Sequence, residues 1–253
     1  MPLLVTDALV LHAFDYLESS RILRLATREA GLQSVLAKGA RRSRRRFGSA
    51  LDLFAEGVAQ LYVKPGRELH TLAEFEVTRA RPELAADLGR FAGASAIAEL
   101  TLRFVRDDPS PRLYAVVLDA LDALVAAPPG AARGATLAGA WRLVAELGFA
   151  PTIDVCGLCH ADLAPGEPAI FNHPAGGALC PRCARLTPSG RTLPPPARDA
   201  LRAWMGGRQV ALSGDAEARA HARLLREFLH EHLADHRPLR AFDVWEAGAW
   251  SAA

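Results

Sequence analysis

The chain changes its hydrophobic period once, near residue 81. Before that point apolar and polar residues alternate in short bursts: Leu23, Leu25 and Thr27 against Arg24, Ala26 and Arg28, then Leu32 to Ala37, then Val58 to Val63. A last burst sets Thr71, Ala73, Phe75 and Val77 against His70, Leu72, Glu74 and Glu76, and Pro65-Gly66 supplies the turn before it. Period-two alternation broken by turn residues predicts strands. With a first strand near Ala8 to Ala13, five strands predict a small barrel over residues 1–80.

From Arg81-Pro82 onward the period is helical. Leu84, Leu88, Phe91, Ser95, Ala98, Leu102 and Val105 fall on one stripe, and Pro82 suits a first helical turn. A second helix starts at Ser110-Pro111 with Leu113, Val117, Leu121 and Leu124 on its buried face. A third carries Leu137, Trp141, Val144 and Leu147 and stops at Gly148, the two being joined through Pro128-Pro129-Gly130. Helical pattern resumes from Pro194 to about Met205 and from Asp215 to about Ala234, where Leu224, Leu225, Phe228, Leu229 and Leu233 form an apolar stripe. Residues 151–187, rich in Pro, Gly and Cys, read as an insertion between helices, and the tail from Trp245 as loosely ordered. The expected class is α+β: a five-stranded barrel, then a helical domain over 81–253 with a cysteine-bearing insertion.

Length and composition add bounds. The 253 residues are 50% hydrophobic, enough for a substantial core. No run of about eighteen apolar residues occurs, and the start MPLLVTDALVLHAFD lacks the features of a secretory signal. A soluble, cytoplasmic protein is expected. The net charge is only +2, so any dense basic run is a local feature.

The four cysteines form two pairs, Cys156-Gly-Leu-Cys159 and Cys180-Pro-Arg-Cys183, separated by twenty residues. A two-residue spacer lets one tight turn present two sulfurs to one ion, and two such turns make a tetrahedral zinc site. With all four corners thiolate, no position is open for water, so the zinc expected is structural. Unligated thiols or two disulfides are the alternatives, and His160 or His173 could replace one cysteine. A deaminase would add an upstream His-x-Glu, which is missing, since Ala161 and Asp162 follow His160.

The second unusual segment is Lys38-Gly-Ala-Arg-Arg-Ser-Arg-Arg-Arg46, with six cations in nine residues and no acidic residue from Ala30 to Leu51. Like charges held together repel, and a polyanion relieves that cost. Displayed between strands of a small barrel, Lys38, Arg41, Arg42, Arg44, Arg45 and Arg46 are candidates for contact with a nucleic-acid backbone. Such contacts position a strand without reading its sequence. Six of them on a single strand would give a log-log salt slope of about −4. A solvated loop is the plain alternative.

Other chemistry is not supported. The phosphate loop, the Gly-x-Gly-x-x-Gly fingerprint and the Gly-x-Ser-x-Gly elbow are absent, so no nucleotide cofactor and no enzyme activity are expected. His230, His232 and His236 read as a solvated helix end, and Trp141 and Trp204 as core residues.

Taken in order, the N-terminal strands, Gly31-Leu-Gln-Ser-Val-Leu-Ala-Lys-Gly-Ala-Arg-Arg42, Leu51-Asp-Leu-Phe54, the helices and the late cysteine pairs resemble the RecO family of bacterial DNA repair and recombination mediators. The likeness spans nearly the whole chain. It implies an oligonucleotide-binding (OB) barrel, a helical domain and a zinc module. It also implies binding of single- and double-stranded DNA, annealing of complementary strands without ATP, and cooperation with RecR and the C-terminal tail of the single-strand-binding protein to load RecA. Lys38, Arg41 and Arg42 match the family's basic segment, Arg44 to Arg46 rest on charge alone, and the cysteines match the zinc-bearing members. A nucleoid-associated location follows from the resemblance. The runner-up reading is a zinc-containing adaptor that binds protein or RNA without annealing.

Overall fold

The computed structural model describes residues 2–40, 47, 51–105, 108–233 and 237–248. Five strands, β1 (Leu3–Tyr16), β2 (Ser20–Thr27), β3 (Gly31–Ala37), β4 (Glu56–Tyr62) and β5 (Leu69–Arg79), close into a barrel in the order β1-β2-β3-β5-β4. All neighbours are antiparallel except β3 and β5, whose parallel pairing of Ser34 to Leu36 with Leu69 to Thr71 completes the ring. This is an OB-fold barrel with Val10, Leu23, Leu25, Val35, Leu61, Leu72 and Phe75 buried in its interior. Leu72 corrects the alternation expected for β5, which set it on the face opposite Phe75: a register shift that leaves Ala73 as an extra residue brings both to the inside.

β1 is longer than its alternation suggested because it serves two partners. Leu3 to Leu9 pair with β4, and Ala8 to Tyr16 pair with β2. A β-bulge between Val10 and His12 marks the change, and the loop before β4 closes on it through Phe54 N–H to Val10 O at 2.8 Å and Val10 N–H to Ala55 O at 2.9 Å. The extra residue puts Leu11 and His12 both outward, where strict alternation would separate them.

The helices pack on one side of this barrel. They are α1 (Pro82–Ala85), α2 (Leu88–Phe104), α3 (Pro111–Ala126) and α4 (Ala132–Val144), followed by a single wide turn (Ala145–Phe149) in which Gly148 has φ 88°. Leu9, Leu11, Ala26, Leu32 and Phe54 of the barrel join Leu84, Ile97, Tyr114 and Val117 in one core. Burying each large side chain there contributes roughly 1.5–3 kcal/mol.

The stretch after Pro82 is two helices, which corrects the single stripe expected. Asp87 ends the first turn and caps the second helix, accepting from Arg90 N–H at 2.8 Å. Leu88 and Phe91 are exposed, whereas Gly93, Ala94, Ala96, Ile97, Ala98 and Leu100 are buried. Small residues let α2 sit in the middle of the bundle. A side chain on Gly139 of α4 would come within 2.7 Å of the Ala120 methyl, and one on Gly93 would collide with Thr136.

The chain continues through β6 (Ala169–Asn172), β7 (Gly177–Leu179), α5 (Pro181–Leu186), β8 (Arg191–Leu193), α6 (Pro195–Met205), α7 (Asp215–His232) and α8 (Arg240–Ala247). β7, β6 and β8 make a small sheet within and just beyond the cysteine segment. Trp245 is not in a loose tail: it is fully buried with Phe242 on α8, which is tied down by Phe242 N–H to Glu99 Oε2 at 2.9 Å and by Arg133 to Glu246 O at 3.1 Å. Residues 249–253 lie outside the described residues. Trp141 and Trp204 are core residues as expected. Among the described residues no helix is long and apolar enough to cross a membrane.

His221 on α7 is 3% exposed, stacks edge-on against Trp204 at 4.7 Å, and has no partner at either ring nitrogen. Burial lowers its pKa to about 4, with Glu217 opposing. A depressed folded-state pKa means that the unfolded chain takes up the proton first, so stability is lost as pH falls from about 6.5 toward 4. Urea midpoints measured across that range should fall less steeply for His221→Phe than for the wild type.

Candidate nucleic-acid interface and metal centre

The outer surface of the barrel is divided by the β1 bulge. Leu9 and Leu11 lie under the helices, but His12, Phe14 and Tyr16 face outward and are exposed, Phe14 by 45% and Tyr16 by 42%. The register carries this rail across the sheet: His12 pairs with Arg24 and Arg24 with Ser34, while Phe14 pairs with Ile22 and Ile22 with Leu36. His12 and Phe14 rings lie 5.8 Å apart. Arg24 stands beside them with a buried Nε that has no hydrogen-bond partner. Aromatic faces for bases next to guanidinium groups for phosphates are the ingredients of single-strand binding on OB barrels.

Loops bordering the sheet add charge. Lys38 is exposed immediately after β3, whose last residue, Ala37, pairs with Arg21 near the β1–β2 hairpin. Lys64 and Arg67 lie in the β4–β5 hairpin, with Lys64 N–H donating to His70 Nδ1 at 3.3 Å. Among the described residues no carboxylate pairs with Lys38, Lys64 or Arg67. Arg41, Arg42, Arg44, Arg45 and Arg46 lie outside the described residues; Phe47, which follows them, is buried in the barrel core. Of the six cations singled out in sequence, Lys38 alone is therefore placed. The rail of His12, Phe14 and Tyr16 was missed, although its alternation through Ala13 and Asp15 was visible.

The cysteines come together from two turns. The first is a knuckle closed by Cys156 N–H to Ala161 O at 2.8 Å and His160 N–H to Cys156 O at 2.9 Å, with His160 at φ 59°. The second joins the end of β7 to α5, where Cys180 is the cap and its Sγ accepts from Cys183 N–H at 3.5 Å. All four sulfurs lie within 4.8 Å of one another, and Cys159 and Cys180 are 3.7 Å apart. No cysteine is in a disulfide, and neither His160 nor His173 belongs to the cluster.

The electrostatics of the cluster ask for a cation. Burial pushes the Cys156 thiol up, but N–H groups of Cys159, Cys180 and Leu158 outweigh it and bring the pKa down to about 6. The N–H of Cys183 likewise holds Cys180 below the usual thiol value. Cys183 is pushed up to about 12, chiefly by its hydrogen bond to the Cys159 sulfur. Cys156 is thus prepared as a thiolate and Cys180 is biased toward one, while Cys183 keeps its proton by sharing it with the Cys159 sulfur. A dication removes that conflict, and the four sulfurs present fit one.

The module is clamped to the helices by arginines. Buried Arg198 donates to Leu163 O at 2.8 Å and to Ala164 O at 2.9 Å, and Arg202 pairs with Asp154. On the other side His173 Nε2 is 3.0 Å from Glu227, which also binds Arg191, and His232 Nε2 meets His173 O at 2.7 Å. His232 is therefore anchored against the module, which corrects the expectation of a solvated end. His230 is exposed, and His236 lies outside the described residues.

An OB barrel with an exposed aromatic and cationic face, joined to a helical bundle that holds a four-thiolate centre, defines a class of nucleic-acid-binding protein. Family models place the chain within it: "Recombination protein O N terminal" matches residues 1–81 and "Recombination protein O C terminal" residues 85–241. The chain belongs to the RecO family of DNA repair proteins. It is 40% identical to the DNA repair protein RecO of Anaeromyxobacter sp. (strain K) over 241 residues, covering 92% of each chain. It is 34% identical to that of Myxococcus xanthus over 94% of each, and 32% identical to that of Rubrobacter xylanophilus over 98% of each.

Proposed function

We propose that this protein is a recombination mediator that binds single- and double-stranded DNA, anneals complementary strands without ATP, and works with RecR to load RecA onto DNA coated by single-strand-binding protein. The observation that carries the DNA part is the rail of His12, Phe14 and Tyr16 beside Arg24, with Lys38 at the same end of the barrel; the arginine segment follows Lys38 in the sequence. Cations screen the repulsion between two phosphate backbones and lower the barrier to pairing, while base pairing supplies the driving energy. Membership of the RecO family is what supports the partners in this reading. The four cysteines hold structural zinc, which fixes two knuckles against α6 and α7. The barrel, residues 1–80, and the helical domain, 81–253, divide the work between strand binding and partner docking, with 151–187 as the zinc module.

The test is annealing of complementary oligonucleotides without ATP. Wild-type protein should accelerate it, and changing Arg41, Arg42, Arg44, Arg45 and Arg46 together to Ala should bring the rate back to that of the free strands while the circular dichroism spectrum stays native. Raising salt should weaken binding with a log-log slope of about −4, and the five-fold variant should show a slope nearer zero. An unchanged annealing rate in that variant would remove the basic segment from the mechanism.

A further inference from the structure

Where the helices cease to cover the barrel lies a cleft of about 350 Å³, walled by β1 and the loop before β4 on one side and by α2 and the start of α8 on the other. Its apolar wall includes Leu53, 36% exposed, and Leu102; its polar groups are His12, Ser95, Glu99, Arg103 and Arg240. Glu99 is occupied by the N–H of Phe242. Arg103 is aimed by its hydrogen bonds to Arg237 O at 2.7 Å and Pro238 O at 3.3 Å. Arg240 is exposed, and among the described residues no carboxylate pairs with it. It stands on the first turn of α8, where the helix dipole disfavours a cation, so its position has no local electrostatic reason. His12 belongs both to this cleft and to the aromatic rail, its ring 5.8 Å from that of Phe14.

We propose that this cleft is the continuation of the barrel's strand path: it receives an unpaired base against Leu53 and Leu102, with the adjoining phosphate between Arg103 and Arg240. The inference rests on the DNA-binding reading of the barrel face and deepens it. Continuity through His12 and the charge of Arg240 select a nucleic-acid strand as occupant, since a purely apolar helix would leave the Arg240 guanidinium desolvated against it. The strand therefore bends at the β1 bulge and leaves the sheet toward the helices, which lengthens the site beyond what a barrel face alone spans.

Binding of oligothymidylates of about 8 and about 20 nucleotides separates the two parts of the path, the shorter within and the longer beyond what one OB barrel covers. Arg240→Glu and Leu53→Asp should leave the shorter oligonucleotide unaffected and weaken the longer by roughly tenfold. Crosslinks from 5-iododeoxyuridine placed along the longer strand should map to the segments around Leu53 and Arg240. Equal affinity of wild type and both variants for the longer strand overturns the cleft assignment and leaves the barrel face standing. Failure of the wild type to bind either strand overturns both. If an acidic peptide binds the wild type, loses binding in Arg240→Glu, and the longer strand does not, the cleft belongs to a protein partner and the proposal is wrong.

Discussion

Cys156→Ser protein should be isolated with its zinc content reduced to near zero and with a module from about Pro151 to Thr187 open to proteases. Cys156 is the buried member of the four and the one whose sulfur is best prepared as a thiolate. Removing it leaves three ligands around the ion and an unfilled corner. The module's own apolar cluster is small, Cys156, Leu163, Ala169, Ala178 and Leu179, so little else holds its two knuckles together. Apparent zinc-binding free energies of about 10–16 kcal/mol in small metal-folded peptides indicate how much of the folding of such a unit the ion supplies. Because Arg198 and Arg202 bind the module's carbonyls and Asp154, α6 should loosen with it. Metal analysis, limited proteolysis and a melting curve check this together. Full zinc occupancy or an unchanged melting temperature would show that the centre is not structural.

The second large effect is expected at Arg81. Its side chain is 1% exposed and sits where barrel and helices meet, donating to Asp122 of α3 at 2.8 Å, to Glu56 of β4 at 2.7 Å and to Phe54 O at 3.0 Å. Arg79 holds the same aspartate at 2.6 Å. Truncating Arg81 to Ala leaves two carboxylates and a carbonyl facing one another without their shared cation. Breaking a buried ion pair from one side costs about 3–5 kcal/mol, a large part of the 5–15 kcal/mol that holds a typical domain. Urea unfolding of Arg81→Ala should show that loss, and the single transition should split as barrel and helices uncouple. Arg81→Ala with Glu56→Ala and Asp122→Ala should recover part of it, because the orphaned charges are then gone. No recovery would place the cost in packing alone.

Much of this was legible before any coordinates. The strands of the barrel declared themselves because one face of each is a closed core, so alternation was enforced by burial. The cysteine spacing declared the four-sulfur cluster for a similar reason, since two such pairs make two knuckles that converge. What could not be read were the places where one residue serves two surroundings. α2 is buried on several sides, so its small residues, rather than a stripe through Leu88 and Phe91, do the packing. Trp245 lies in a stretch too short to show a period, yet it fills the groove beside Phe242. The aromatic rail on β1 was hidden because an outward Phe or Tyr in a strand is usually covered, and only the extent of the helices tells that it is not.

The bulge at Leu11 and His12 sets the orientation of everything after it on β1. Were the same residues to run on from Val10 without the bulge, period-two alternation would turn Phe14 and Tyr16 into the barrel and send Ala13 and Asp15 out to solvent. One unpaired residue thus decides whether the same sequence offers stacking rings or a methyl group and a negative charge to whatever approaches. Backbone register in this strand is as much a determinant of ligand choice as any side chain it carries.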